Sequence, residues 1–303
     1  MTPEVVKTCC ANAYESDFAR MLLGDSFHPG GLELTRRLAE LLELRPGMRV
    51  LDVAAGKGES AIFLAKEFGC EVVGVDFGAG NVEEATRRAQ AAGVANLATF
   101  GQGDAERMNM PAGSFDGVIC ECAFCTFPDK NAAAREFARV LKPGGRLGLS
   151  DLTRSGALPQ ELEGLLAWVA CIADARPVEE YVEYFENAGF LIPAVELHDG
   201  ALAQMTRDIQ GRLLGIELMA GLGKIDLAGA DLTQAKQFAK AAVRAIAGGQ
   251  LGYALVWDSE PGPPREVVAD RVIHGKRSGH ALRGSVSAPR GATHELPASE
   301  ARL

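Results

Sequence analysis

Along the middle of the chain, two patterns of apolar residues alternate. Short apolar runs, such as residues 50–53 and 70–75, alternate with longer segments whose apolar residues recur every three or four positions, such as 60–68. The runs predict buried strands, and the longer segments predict amphipathic helices. The same pattern predicts strands at 97–101, 115–122 and 146–149 and helices at 82–92 and 130–141. Strands and helices that alternate in this way predict an α/β fold with a doubly wound, mostly parallel sheet.

The segments on either side of this alternation are mainly helical in pattern. Residues 1–45 hold amphipathic stretches at 15–23 and 32–44, joined by a glycine-rich loop, and we expect them to form an N-terminal helical lid. Towards the other end, helices are predicted at 161–172, 179–188, 201–220 and 231–247, and strands at 191–197 and 251–257. The last two helices form a helical insert, about 199–250, before the final strand.

These patterns divide the chain into the lid at 1–45, a main domain at 46–257 and a tail at 258–303. In the tail, proline, glycine, serine and scattered charges replace the periodic apolar residues. Such a composition cannot bury enough apolar surface to offset the entropy cost of ordering. We therefore expect the tail to be disordered.

Composition narrows the class of protein. The chain has 303 residues, 47% of them hydrophobic, and a formal net charge of -9. This acidic balance argues against a nucleic-acid partner, and no apolar run approaches the ~20 residues of a membrane span. Seven cysteines are an odd number without the density of a disulfide scaffold, so reduced thiols are expected. A cytoplasmic protein, monomeric or homodimeric, is the expectation.

A glycine loop follows the first strand of the main domain. Gly56 and Gly58 come directly after residues 50–53, and a predicted helix begins next. Glycines allow tight turns and close approach of the backbone to a ligand, and the helix N-terminus favours anionic or polar groups. The spacing from Gly56 to Ala61 fits a dinucleotide fingerprint, with Asp76 near the distance expected for ribose recognition. Taken alone, this loop fits either a nicotinamide cofactor or S-adenosylmethionine.

Four ordered motifs favour S-adenosylmethionine. Residues 50–58, including Asp52, resemble the first motif of class I S-adenosylmethionine-dependent methyltransferases. Residues 72–76 resemble the second motif, 103–106 the third, and 141–147 the turn and strand that follow the core. The resemblance covers about residues 45–257. It implies a Rossmann-like methyltransferase fold, methyl transfer as the activity and S-adenosyl-L-methionine as the cofactor.

The resemblance also implies a set of cofactor contacts. Gly56 and Gly58 would approach the methionine part, with Asp52 near its amino group and Ala54 where the family more often has glycine. Asp76 would bind both ribose hydroxyls. At the adenine, Phe77 would pack on the ring, Asp104 would accept from the exocyclic amine and Ala105 would offer backbone contacts. Cys120 completes the predicted set, with packing as a small buried residue as the alternative.

Clustered cysteines indicate where the methyl acceptor binds. Cys122 and Cys125 lie near the carboxyl end of the predicted strand 115–122, where ligands of such sheets bind. Alternation along the strand would place Cys120 and Cys122 on one face and Glu121 on the other. The three thiols of this stretch fall short of the four ligands of a structural zinc site, so no metal site is predicted.

A second resemblance concerns the acceptor. Residues 128–130, the turn at 141–145 and the segment 170–175 around Cys171 resemble the arsenite-methyltransferase-like branch of the superfamily. In that branch thiolates hold trivalent arsenic, and soft thiolates suit such a soft centre. Cys122 and Cys171 fall at positions that look equivalent to cysteines of the branch.

The chain also departs from this branch. Its members usually carry a cysteine where this chain has Ser60, and another in the later part of the domain, whereas no cysteine follows Cys171 here. Cys125, or the pair Cys9 and Cys10 in the lid, is a possible substitute.

Three functions remain open. The first is methylation of trivalent arsenic or another thiol-bound soft acceptor by Cys122, Cys125 and Cys171. The second is methylation of a small organic metabolite, in which a hydroxyl or amine acceptor needs a general base; His28 and Glu121 are the candidates. The third is a non-catalytic module that binds the cofactor or senses metals through its thiols.

Overall fold

The computed structural model describes residue 7 and residues 21–22, 28–192, 194–224 and 231–258. The predicted helix at 15–23 lies outside these residues apart from its positions 21–22. Cys9, Cys10 and the predicted disordered tail after position 258 also lie outside them.

Seven strands form one sheet in the order β3-β2-β1-β4-β5-β7-β6. The strands are β1 Arg49–Val53, β2 Glu71–Asp76, β3 Ala98–Gln102, β4 Phe115–Glu121, β5 Leu141–Arg154, β6 Ala194–Leu197 and β7 Leu251–Trp257. The first five pair in parallel, while β7 runs antiparallel to both β5 and β6. The prediction of a doubly wound, mostly parallel sheet is confirmed.

Eight α-helices of the described residues surround the sheet. They are α1 Gly31–Leu41, α2 Glu59–Phe68, α3 Ala79–Ala91, α4 Lys130–Val140, α5 Leu165–Val169, α6 Val178–Asn187, α7 Asp199–Gly221 and α8 Leu232–Ala247. The two long helices before the last strand occupy the predicted 201–220 and 231–247. None of the helices in the described residues has the length and apolar character needed to cross a lipid bilayer.

Both faces of the sheet are buried, because neighbouring residues of each strand belong to different apolar clusters. Val50 packs with Leu38 and Leu64 on the α1 and α2 side. Its neighbour Leu51 packs on the other side, with Phe137 of α4 and residues of α6. This alternation explains why β1 has a continuous apolar pattern: each of its faces is covered by helices.

Two segments differ from the sequence-based expectation. The strand predicted at 146–149 extends from Leu141 to Arg154, because its first residues pair with β4 through an irregular register and its last residues pair with β7. The helix predicted at 161–172 is instead a short 3-10 turn followed by the five-residue helix α5. Gly164 and Cys171 adopt left-handed backbone angles at either end of α5, with φ of 84° and 60°, and these angles cannot continue a helix.

Candidate functional site: a cleft at the carboxyl ends of the parallel strands

A cleft opens at the carboxyl ends of β1, β2 and β4, where the loops to the following helices diverge. Its walls combine the glycine loop, the ends of β2 and β4, the loop after β3 and two residues that precede α1. The residues that line it include Lys7, His28, Asp52, Ala54, Gly56, Lys57, Glu59, Ser60, Asp76, Phe77, Asp104, Ala105, Glu121 and Cys122. Ligands of open α/β sheets bind at this edge.

The glycine loop turns through left-handed backbone angles. Ala54 has a φ of 59° and Gly56 a φ of 53°. The Ala55 N–H donates to the carbonyl of Val75 at 2.9 Å, which ties the loop to β2. A left-handed φ carries a steric cost for alanine, and this gives a physical reason why glycine suits position 54.

Gly58 packs closely against side chains of other elements. It lies at the N-terminal end of α2 with a φ of 78°, and a Cβ there would come within 2.6 Å of the Phe100 ring and 2.9 Å of the Ala85 Cβ. That direction points into packed side chains. Gly58 is thus required for packing of α2 on the sheet, whereas Gly56 lines the cleft.

The Asp76 carboxylate organises the loops on either side of it. Its Oδ2 accepts from the Gly56 N–H at 2.8 Å, and its Oδ1 accepts from the Gly78 N–H at 2.8 Å and the Asn81 side chain at 3.1 Å. Asp76 therefore fixes the glycine loop and the start of α3 while it lines the cleft. Carboxylate oxygens can accept from more than one donor, and this suits the predicted contact with ribose hydroxyls.

Asp52 is a buried carboxyl group with one unsatisfied oxygen. Only 3% of the residue is exposed, and among the described residues its Oδ2 has no hydrogen-bond partner. Burial, followed by the negative charges of Glu121 and Asp76, raises the pKa of Asp52 well above its usual value. A buried, unpaired acceptor that lines a cleft is suited to a cationic ligand group, such as the ammonium of a methionine moiety.

At the far end of the cleft, Asp104 is held by a residue that sequence reasoning missed. The Lys7 ammonium donates to both oxygens of Asp104 at 2.9 Å and to Glu106 at 2.6 Å. Phe77 and Ala105 line the same end. An adenine amine that binds Asp104 would share this carboxylate with Lys7.

Glu121 lies at the cleft end of β4 and is almost fully buried. Its Oε2 accepts from the Ser60 hydroxyl at 2.6 Å, and both of its oxygens accept from Thr35 at 3.1 to 3.2 Å. The Nε2 of His28 lies 3.9 Å from the Glu121 Oε2. Neither ring nitrogen of His28 has a hydrogen-bond partner among the described residues. The two predicted base candidates are thus neighbours.

The predicted alternation of side chains ends before Cys122. Cys122 has a φ of 53°, so the strand geometry stops at Glu121. Glu121 and Cys122 consequently both line the cleft. Cys120, by contrast, is fully buried in the apolar cluster that contains Leu149 and Phe124. Its side chain lies in the core and does not line the cleft, which corrects its predicted place among the cofactor contacts.

The three remaining candidate thiols meet behind the cleft wall. Interaction with the Cys171 thiol and burial raise the pKa of Cys122 well above its usual value, and burial followed by the same thiol raises that of Cys125. The Cys171 thiol donates to the carbonyl of Cys122 at 3.3 Å. Cys125 and Cys171 are only 1% and 3% exposed. The structure therefore brings these cysteines together, but only Cys122 lines the cleft.

A buried carboxylate adjoins this thiol group. Asp151 accepts from the Cys125 N–H at 2.8 Å, and burial, then the nearby Cys171, raises its pKa to about 7. Within the described part of the chain, no three His, Cys, Asp or Glu side chains are placed to share one metal ion.

Some of these residues carried little signal in the sequence. Lys7 and Asp104 are 97 positions apart, and nothing in the pattern near Lys7 marks it as a partner of the cleft. Thr35 reads as part of an amphipathic helix, and only its place on the inner face of α1 brings it to Glu121. Asp151 lies two residues after the predicted strand 146–149 and could have been noticed as a charged residue near a predicted strand end.

Comparisons with known proteins give the same family. A family model described as a methyltransferase domain matches residues 44–189. The 27-O-demethylrifamycin SV methyltransferase of Amycolatopsis mediterranei is 36% identical over 189 residues, which cover 57% of this chain and 70% of that protein. Methyltransferase GfsG of Streptomyces halstedii is 31% identical over 186 residues, which cover 60% of this chain and 66% of that protein.

A solved structure shares the fold. Phosphoethanolamine N-methyltransferase 2 of Haemonchus contortus, solved with S-adenosylhomocysteine, superposes with a TM-score of 0.68 at 21% identity, covering 83% of this chain and 57% of that chain. The matched part of the chain spans about two thirds of GfsG and about a third of the plant phosphoethanolamine N-methyltransferases. The sequence motifs, the fold and these relatives agree, and the chain belongs to the class I S-adenosylmethionine-dependent methyltransferases.

Proposed function

We propose that this protein transfers a methyl group from S-adenosylmethionine to an oxygen or nitrogen of a small organic molecule. One observation carries the proposal: Asp104, Asp76 and Asp52 line a single cleft in order across three neighbouring strands. An elongated ligand with an amine at one end, a diol in the middle and an ammonium beyond it would meet one carboxylate at each group. S-adenosylmethionine has these groups in this order.

The acceptor would bind beyond Asp52, at the end of β4. His28, Glu121 and Cys122 line the cleft there. The methyl moves by in-line displacement at the sulfonium, so the chain contributes alignment and exclusion of water. When the acceptor is a hydroxyl or a protonated amine, His28 would take the proton, because both of its ring nitrogens lack partners in the described residues.

The relatives support an organic acceptor. The names of three similar proteins refer to 27-O-demethylrifamycin SV, phosphoethanolamine and a sterol. These names indicate varied small organic acceptors and leave the particular one open.

A soft, thiol-bound acceptor such as trivalent arsenic is the second candidate, and the meeting of Cys122, Cys125 and Cys171 favours it. Two features weigh against it. The pKa values of Cys122 and Cys125 are raised, so these thiols hold their protons, whereas soft centres bind thiolates. Ser60, where the arsenite branch usually has cysteine, donates to Glu121 at 2.6 Å and so has another role here.

Two measurements test the function. Isothermal titration calorimetry with S-adenosylmethionine should show one site per chain; absence of binding would overturn the proposal. Release of S-adenosylhomocysteine is then followed with a panel of alcohols, phenols, amino alcohols and phosphorylated amines, and separately with arsenite and glutathione. Turnover with an organic acceptor that is lost in His28→Ala supports the proposal. Methylated arsenic from wild type but not from Cys171→Ser would establish the second candidate instead.

A further inference from the structure

At the end of the cleft next to β4, neutral hydroxyl groups hold the acidic side chain of Glu121. Glu121 is 4% exposed at its side chain, and its oxygens accept from the hydroxyls of Thr35, Ser60 and Ser150. Hydroxyl donors keep an ionised carboxylate in place without neutralising its charge, because a neutral donor contributes only a dipole. Tyr253 extends this network by donating to Ser150 at 2.9 Å.

Other ionisable side chains also line the cleft near Glu121. Asp52 lies on the adjacent strand, and the negative charges of Glu121 and Asp76 both act on it. The Nε2 of His28 lies 3.9 Å from the Glu121 Oε2, and neither ring nitrogen of His28 has a hydrogen-bond partner among the described residues. Lys57 and Glu59 line the same cleft from the glycine loop and the start of α2. Glu121 thus has three hydroxyl donors and no hydrogen-bonded cation among the described contacts.

The order of the strands places Glu121 beyond Asp52. The sheet order runs β2-β1-β4, so a ligand that lies across Asp76 and then Asp52 continues towards β4. Neighbouring strands are ~4.8 Å apart, so the end of β4 lies about one strand spacing beyond β1. On the proposed function, the methionine part lies at Asp52, and the sulfonium with its methyl therefore lies towards Glu121.

We propose that Glu121 is a specificity-determining residue that recognises the positive charge of the methyl donor and so distinguishes S-adenosylmethionine from S-adenosylhomocysteine. The inference rests on the proposed function. The donor carries two positive centres, an ammonium and a sulfonium, whereas the product retains only the ammonium. A carboxylate at the β4 end attracts the second centre, and this attraction disappears when the methyl leaves. Product release is thereby favoured over release of unreacted donor.

The test compares three ligands with matched variants. S-adenosylmethionine, S-adenosylhomocysteine and sinefungin are titrated by calorimetry into wild type and Glu121→Gln; sinefungin carries an amine in place of the methylated sulfur. The charge interaction of a partly buried pair predicts that Glu121→Gln weakens binding of the two positively charged ligands by about tenfold. Binding of S-adenosylhomocysteine should change by less than about twofold.

Two control variants distinguish the effect of losing the Glu121 charge from the effect of a change in the structure of the site. Ser60→Ala removes a hydroxyl that donates to Glu121 but leaves the carboxylate, so the affinity ratio of donor to product should stay within about twofold of wild type. Asp52→Asn should weaken all three ligands together, since each carries the amino-acid ammonium. Glutamine retains a carbonyl oxygen for the hydroxyls, and thermal melting followed by circular dichroism checks that Glu121→Gln folds.

The possible results distinguish a failure of the proposed function from a failure of the inference about Glu121. If wild type binds neither donor nor product, the proposed function fails. If wild type binds both and Glu121→Gln weakens both equally or neither, the inference about Glu121 is wrong while the proposed function stands. Should Glu121→Gln not fold, wild type supplies the deciding measurement: sinefungin that binds no more tightly than S-adenosylhomocysteine would overturn the inference.

Discussion

The Oγ of Ser60 lies 2.6 Å from the Oε2 of Glu121 and donates a hydrogen bond to it. Ser60 belongs to the first turn of α2, directly after the glycine loop, and Glu121 ends β4. This bond therefore joins the loop that is predicted to bind the cofactor to the strand end where the acceptor is expected. It also explains why a hydroxyl, a stronger donor than a thiol, suits position 60.

Replacing Ser60 should lower the stability of the fold. Hydrogen bonds to charged groups contribute about 1.5–3 kcal/mol, so Ser60→Ala is expected to reduce the free energy of unfolding by about 2 kcal/mol. Urea denaturation measures this change. Ser114→Ala is the control, because the Ser114 hydroxyl donates to the carbonyl of Pro111 in an exposed turn. If the two substitutions change the free energy of unfolding equally, the bond between Ser60 and Glu121 stabilises the fold no more than an exposed hydrogen bond does.

Gly58 should be less tolerant of alanine than other glycines with left-handed angles. A Cβ at Gly58 would lie 2.6 Å from the Phe100 ring, whereas a Cβ at Gly93, with a φ of 73°, would have no atom within 4 Å. Both substitutions carry the cost of the backbone angle, and overpacking adds about 1–3 kcal/mol at Gly58 alone. Denaturant unfolding of Gly58→Ala and Gly93→Ala measures the difference. If Gly93→Ala is as destabilising, the packing role of Gly58 is wrong.

These contacts show which parts of the molecule the sequence can predict. Strand and helix periods locate β1 and α2 because each strand of the parallel sheet is buried on both faces and each helix on one. The motif identifies the glycine loop, but it does not distinguish Gly56, which lines the cleft, from Gly58, which packs on Phe100. That distinction depends on the direction of a Cβ relative to side chains from other elements.

The cysteines illustrate a second limit. Strand alternation predicts opposite faces for Glu121 and Cys122, but the left-handed angle of Cys122 brings both to the cleft. The convergence of Cys122 with Cys171 depends on a loop in which Cys171 also has a left-handed angle. Backbone angles of this kind are set by tertiary contacts, so a periodic pattern carries no signal for them.

Asp151 should make stability fall as the pH rises. Its pKa is about 7 in the folded chain, because of burial, against 3.8 for an ordinary aspartate. Between these values the folded chain keeps a proton that the unfolded chain has released, so stability is full below pH about 4 and declines up to about 7. The loss of this contribution from Asp151 lowers the free energy of unfolding by at most about 4 kcal/mol.

Urea denaturation between pH 5 and 8 measures this decline, and Asp151→Asn should make it shallower. Asp116→Asn is the control: despite burial, the hydrogen bond from Lys142 lowers the pKa of Asp116, so its contribution is constant over this range. A wild-type slope equal to that of Asp151→Asn would contradict the assignment to Asp151.

Two aromatic residues should respond to alanine in different ways. Phe124 is fully buried, with the rings of Phe127, Phe137, Tyr181 and Phe185 at centroid distances of 4.9 to 6.0 Å. Phe124→Ala is therefore expected to reduce the free energy of unfolding by about 3–5 kcal/mol. Phe77 lines the cleft, so Phe77→Ala should weaken S-adenosylmethionine binding and change stability by much less. Calorimetry and thermal melting of both variants separate the two effects; a large stability loss in Phe77→Ala would contradict its place at the adenine.

Asp52 should make cofactor binding depend on pH. Burial, then the charges of Glu121 and Asp76, raises its pKa, so the free protein holds a proton on this carboxyl group to a higher pH than usual. Only the ionised form attracts an ammonium, and binding must therefore release this proton. We expect the affinity for S-adenosylhomocysteine, measured by calorimetry, to increase as the pH rises, with proton release visible as a buffer-dependent enthalpy. Asp52→Asn should bind more weakly and lose both effects, while Asp104→Asn should bind more weakly but keep them. A wild-type affinity that is independent of pH would contradict a proton release from Asp52 on binding.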